Sequence, residues 1–312
     1  MNNRYVDHDM NVIIDAREYQ DTGSFSEGLA AVLTKGPLGR FGYIDKSGRM
    51  VIPPQFGNAG RFSEGRARVE VEHVPGSWSV AYIDPNGKVV FQTDFVRTRD
   101  FADGVAVAGK ENAEYLIQRD GTVSMLFDDL NLQVAPESFV GFSHGLLVVR
   151  DAVKEKYGYI DKTGRFVIPP KFENAGAFSE GLARVSEIVD GRELVGFIDT
   201  KGQYIIQPVF DVDYDFARNS QDFSEGLAGI SNGPPTLLKD SSFDFIDKSG
   251  KVVLSTEFSY AGPFRNGRSL IHDAPQGKFG FIDRSGNRVA SPSFELASDF
   301  SDGLASVASV VP

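Results

Sequence analysis

Four histidines, His8, His73, His144 and His272, are the side chains best suited to moving protons near neutral pH. They are scattered along the chain, with no two-histidine metal spacing and no Gly-x-Ser-x-Gly elbow nearby. There is no cysteine, which removes disulfides, thiolate metal sites and thiol catalysis. Neither a P-loop nor a dinucleotide fingerprint is present. The one carboxylate run with a suggestive spacing is Asp211, Asp213 and Asp215, interleaved with Tyr214 and followed by Phe216. A hard cation such as Ca²⁺ needs six or more oxygens, and this run lacks the glycine and the distal glutamate of an EF-hand loop. It therefore reads as a solvated acidic loop, and no metal, cofactor or catalytic residue is assigned. These five residues and the single tryptophan, Trp78, are the candidate partner-binding positions, although a tryptophan near a loop end is more often part of a core.

A second set of carboxylates, Asp45, Asp84, Asp161, Asp199, Asp247 and Asp283, recurs at one place in a repeated unit. That recurrence argues for turn chemistry rather than catalysis. The clearest copy of the unit runs from Tyr157 to Gly181, YGYIDKTGRFVIPPKFENAGAFSEG. Gly158–Asp161 and Arg165–Pro170 are short apolar runs on either side of Lys-Thr-Gly, which reads as a β-hairpin. Asp161 is placed to accept backbone N–H bonds two or three residues on, with Gly164 closing the turn. Phe172, Ala175 and Phe178, three residues apart, suit a tight helical turn or folded corner. Ser-Glu-Gly is read as a turn with Glu27 or Glu180 solvated, and the strand Leu182–Val185 follows.

The hairpin recurs at residues 42–45, 81–84, 196–199, 244–247 and 280–283, in decayed form at 115–118, and at the amino terminus as Arg4–Asp7 with Asn11–Ile14. The corner recurs at Phe25, Phe62, Phe101, Phe142, Phe178, Phe223, Phe264 and Phe300, spaced by 36 to 45 residues. The chain of 312 residues thus holds eight units of about 39 residues. Their expected bounds are 25–61, 62–100, 101–141, 142–177, 178–222, 223–263, 264–299, and 300–312 completed by 1–24, in a single domain. The third unit is eroded, with relaxed constraint as the preferred explanation.

Gly-Tyr-Ile-Asp-Lys-x-Gly, Val-Ile-Pro-Pro and Phe-Ser-Glu-Gly together resemble the WG repeats of bacteria over nearly the whole chain. The tryptophan of that pattern is replaced by Phe41, Tyr157, Phe279 or Val80, and its glycine is lost at Ala81 and Asp244. What the resemblance implies is an interaction scaffold, with no specific chemistry attached.

The fold expected is all-β: about eight antiparallel units of three to four strands, closed into a propeller-like ring whose termini share one unit. An open β-superhelix is the alternative. Net charge is −11, with acidic residues scattered, so a nucleic-acid partner is not expected. No signal peptide or spanning helix is read, and the expected setting is a monomer in the cytoplasm. The expected function is non-enzymatic protein binding, with a toxin or effector of basic surface as a fitting partner. Two alternatives are a ring that stacks carbohydrate or a small ligand on Phe172 and Phe178, and a glycosidase-like enzyme with carboxylates in a central channel.

Overall fold

The computed structural model describes residues 2–95, 97–111, 113–129, 131–135, 141–211, 222–232, 242–258, 260–273 and 277–309, and among these no helix occurs. The chain folds into eight small antiparallel sheets forming an eight-bladed β-propeller. Blade one consists of Tyr19–Thr22, Leu29–Thr34, Phe41–Asp45 and Met50–Phe56, hydrogen-bonded in that order. Blades two to five and seven repeat the plan. In blade six the described strands are Ala228–Asn232, Ser242–Ile246 and Val252–Ser255. Blade eight joins the chain ends: Leu296–Ala297 and Ala305–Ser309 supply two strands, Asn2–Val6 and Val12–Asp15 the others, with Tyr5 opposite Ser306 and Arg4 opposite Val307. The ring is therefore closed, and the open superhelix is set aside. The ends meet between the second and third strands of the blade.

A unit is phased differently from the expected corner. Phe172 ends the outermost strand of blade four, Phe166–Phe172, whereas Ala175 lies in the first strand of blade five and Phe178 follows it. The three residues thus bridge two blades instead of forming a helical turn. Both rings are buried, so neither offers a face to a carbohydrate.

Successive blades are bolted together at the Ser-Glu-Gly turns. Ser26, Ser63, Ser143, Ser179 and Ser224 each donate from Oγ to the carbonyl of the following blade's corner phenylalanine, Phe62, Phe101, Phe178, Phe223 and Phe264, at 2.6–2.7 Å. Contacts this direct between equivalent residues of neighbours place the turns on the inner rim. The next residue is left-handed in all eight turns, with φ between 51° and 54°, a conformation that costs about 1 kcal/mol in a non-glycine residue. It aims the side chain at the neighbour. Glu27, Glu64, Asp103, Glu180, Glu225, Asn266 and Asp302 each accept a bond from the N–H of the next blade's turn glycine, Gly65, Gly104, Gly145, Gly226, Gly267, Gly303 and Gly28. These six carboxylates and the Asn266 amide oxygen are clasps; Glu27 and Glu180 are not the solvated side chains expected from sequence. The eighth position is His144, whose Nδ1 lies 3.0 Å from Ser143 Oγ and whose ring lies 6.3 Å from that of Phe178.

The repeated aspartates act at the turn between third and fourth strands. Asp161 Oδ1 accepts from the N–H of Thr163 and of Arg165, two and four residues on, and Asp45, Asp247 and Asp283 repeat the pattern.

Outer-strand prolines, paired in blades one and four and single in blades five (Pro208) and seven (Pro292), explain the glycine that follows the aromatic. In blades one, four, five and seven the outer strand carries two extra residues opposite Gly42, Gly158, Gly196 and Gly280. A Cβ on Gly158 would meet Ile168 O at 2.7 Å and Pro170 N at 2.8 Å, and the other three are equally tight. Blades two, three, six and eight have Ala81, Tyr115, Asp244 and Arg4 there, lack the prolines, and pair more regularly. Glycine and proline are thus gained or lost together. The proline bulge also blunts an exposed outer edge.

The eight first-to-second turns, Ser-Glu-Gly in four blades, and the aspartate turns share one face, because first-to-second and third-to-fourth connections lie at the same end of an antiparallel sheet. Lysines cross-link them: Lys46 donates to Asp302 O, Lys162 to Asp103 O and Lys248 to Glu180 O. The opposite face carries the second-to-third loops, which vary in length, and the links between blades.

Candidate functional site

Among the described residues, in four of the eight seams a large apolar side chain at the start of the third strand packs on the next blade's first strand. Phe41 with Ala59, Tyr157 with Ala175, Phe243 with Ala261 and Phe279 with Ala297 each share a core cluster. The third blade departs from this at several places at once. Its third strand, Ala113–Gln118, places Glu114 where Phe41, Val80, Tyr157, Val195, Phe243 and Phe279 stand in six other blades and the uncharged Asn3 in blade eight. Its first strand, Arg97–Thr98, runs on into Arg99, at the position of Gly23, Gly60, Ala135, Gly176, Gly262 and Ser298. Opposite Glu114 is Gly109, where a Cβ would lie 2.6 Å from Arg97 Nη2 and 2.9 Å from Glu114 Oε1.

These exchanges hollow out the seam between blades three and four. A cavity of about 440 Å³ lies there, walled by Arg97, Arg99, Gly109 and Glu114 on one side and by Leu132 and Val134 of blade four's first strand on the other. Glu111 and Asp129, in the second-to-third turn and the inter-blade link, also line it, so it belongs to the variable-loop face.

The charges inside are unevenly matched. Arg97 Nη1 lies 3.6 Å from Glu114 Oε1, and its Nη2 donates to Glu111 O at 3.1 Å. Asp129 caps its own turn through Asn131 N–H. Arg99 Nη2 donates to Ala135 O at 3.2 Å. That bond does the work done in other seams by a tyrosine hydroxyl, as from Tyr43 to Gly60 O and from Tyr159 to Gly176 O, since blade three has Leu116 in the tyrosine's place. Arg99 Nη1 is buried and has no hydrogen-bond partner among the described residues. Burial weakens the hold of this guanidinium on its proton, with Glu114 opposing the effect, and burial likewise raises Glu114 above the usual carboxylate range against the pull of Arg97 and Arg99.

Two carboxylates sit elsewhere on the inner wall, each with one buried oxygen unpartnered among the described residues. Asp222 Oδ1 would lie 3.2 Å from a Cβ on Gly176 of blade five, and Asp299 Oδ1 2.9 Å from one on Gly262 of blade seven. They occupy different seams. Among the described residues no three histidine or acidic side chains gather as a metal site.

Of the candidate positions from sequence, the two that are described, Trp78 and Asp211, lie away from this cavity. Trp78 is half-buried in Ser77–Ile83, covers Gly57 and carries the Arg40 guanidinium 4.7 Å above its ring. Arg40 also bridges to Glu72, so Trp78 is part of the packing between blades one and two. Asp211 pairs with Arg192. Asp213, Tyr214, Asp215 and Phe216 lie outside the described residues. Sequence reasoning missed Arg97, Arg99, Gly109 and Glu114. The signal was available in an acidic residue at the repeat's aromatic position, in the unit dismissed as eroded.

Fold and seam together define a β-propeller with a single repeating four-stranded unit and one unit adapted to hold charge. The model of the WG containing repeat matches residues 4–36, 41–72, 81–112, 157–187, 196–233, 245–271 and 279–308, well over half of the chain, and the chain belongs to that family. The match lapses from 113 to 156, which begins beside Glu114. No curated protein matches the sequence. Among solved structures, one described as the eukaryotic initiation factor is similar over 100% of this chain and 90% of its own, at 12% identity and a TM-score of 0.56. Protein lmo1340 from Listeria monocytogenes EGD-e is similar over 88% of this chain and 94% of its own, at 12% identity and a TM-score of 0.53. At such identities the likeness concerns the fold alone.

Proposed function

We propose that this protein is a non-enzymatic scaffold that binds another protein through its variable-loop face. The observation that carries this reading is the inequality of the two faces. One is built from the same turns repeated around the ring and tied by clasps. The other has loops of unequal length, six residues at 35–40 and two at 75–76 among them, and holds the charged cavity. Loops set on a rigid frame are where recognition usually resides. A net charge of −11 favours a partner with a basic surface, because complementary potentials speed encounter.

Affinity capture followed by cross-linking of the recovered complex tests the proposal. Cross-links should fall on Lys35 and on residues flanking the cavity, and binding should weaken as salt rises. Recovery of no specific protein from several lysates, or a footprint on the clasped face, would overturn it.

A further inference from the structure

We propose that the seam between blades three and four binds a carboxylate group, held by the guanidinium of Arg99. The inference deepens the binding-scaffold reading and rests on it for the importance of this face. Its warrant is the state of the charges. Arg97 is engaged by Glu114 and by Glu111 O, and Asp129 by its own turn, whereas Arg99, which lines the cavity, has one nitrogen committed to Ala135 O and Nη1 left over behind the wall, where a turn of the side chain brings it to an entering anion. A buried cationic group without a full set of partners is costly, and an anion delivered to it restores what desolvation removed.

The class of anion follows from the remaining wall. Guanidinium and carboxylate are both planar and match in a two-bond fork. A phosphate dianion would bring twice the charge into a seam that already contains Glu114, Glu111 and Asp129. The carboxylate needs only the one unspent cation. Leu132, Val134 and Val107 give part of the cavity an apolar wall that accepts a short aliphatic stem, with Thr98 and Gln133 completing the lining. A polypeptide carboxyl terminus, an acidic side chain and a free organic acid all present this group.

The sources separate in a titration followed by the amide resonance of Gly109 and the Nε–H resonances of Arg97 and Arg99. The probes are N-acetyl-tetra-alanine with a free carboxyl terminus, the same peptide amidated, N-acetyl-Ala-Glu-Ala-amide, glutarate and inorganic phosphate. Saturable shifts with the free-carboxyl peptide but not its amide support the proposal with a chain terminus as source. Equal shifts with the internal glutamate or glutarate support it with a side chain or free acid as source. Glu114→Phe installs the phenylalanine that blades one, six and seven carry at this position and fills the cavity, so it should abolish the shifts while the melting temperature is retained. Arg97→Met should weaken binding less than tenfold, and Arg99→Met more than tenfold. Preference for phosphate, shifts that survive Glu114→Phe, or no shift at millimolar probe in the folded protein would overturn the proposal. Loss of carboxylate binding with a captured partner still mapped to the loop face would sink this inference alone. Carboxylate binding without any protein partner would instead sink the scaffold reading.

Discussion

Asp299 shows how a single buried group sets a dependence on pH. Burial raises its carboxyl above the usual value of 3.8, against the pull of Arg265, and one of its oxygens has no partner among the described residues. A raised carboxyl contributes stability below its unfolded pKa and loses it as pH climbs through the folded one. Asp299→Asn should therefore stabilise the protein by about 1 kcal/mol at pH 7, with the gain fading towards pH 4, as read from urea denaturation at both pH values. The turn aspartates act in the opposite sense. Hydrogen bonds from Thr163, Ser249 and their neighbours lower Asp161 and Asp247, so their contribution is held above pH 4 and lost as acid protonates them. At this scale the sequence was legible wherever a residue repeats. The turn role of Asp45 and Asp161 follows from recurrence. The clasp role of Glu27 and Glu180 does not, because the acceptor's target lies about 40 residues on and only the ring geometry brings it within reach. Glu114 and Arg99 escaped for a related reason: each is notable only against its counterparts, and the alignment is hardest to hold in the blade that carries them.

Among elements, the outer strand and the third strand of a blade constrain each other. Gly158→Ala should cost about 2 kcal/mol, since its methyl meets backbone atoms that cannot rotate away. Removing Pro169 and Pro170 along with it should recover most of that loss, because blades two, three, six and eight pair there without either the glycine or the prolines. Chemical denaturation of both variants decides the matter, and equal instability of the two would break the proposed coupling. The clasp gives a second prediction. His144 shares the left-handed backbone of the glutamates, with φ of 54°, so His144→Glu can reach the Gly181 N–H without remodelling. A gain of about 1 kcal/mol is expected, read as a higher melting temperature at neutral pH. Hairpin strands and turns were readable from short apolar runs and the glycine between them. The first strands were not, being as short as Asn174–Ala175 and defined by their neighbour rather than by their own pattern.

For the whole molecule, closure is the decisive feature. The strand Asn2–Val6 pairs with both Val12–Asp15 and Ala305–Ser309. Deleting residues 1–15 removes two strands of blade eight and exposes its neighbours, so a large fall in melting temperature is expected. A circular permutant that joins Ser309 to Asn2 through a short glycine linker and opens at Gly76, in a loop of blade two, should melt within a few degrees of the parent. If both variants behave alike, the ring does not depend on its terminal blade. Closure was legible because the two ends supply complementary fragments of one unit. The identity of the working surface was not, since it depends on which turns share a face.

The way the ends meet has a mechanical corollary. Asn2 lies opposite Ser309, so both ends of the paired strands emerge at the same edge of blade eight. Tension applied between them loads the Asn2–Ser309 pair first and then each following pair in turn, instead of straining the whole ladder at once. A molecule tethered at both ends would therefore part at its seam like a zip, under low force, while the other seven sheets keep their shape.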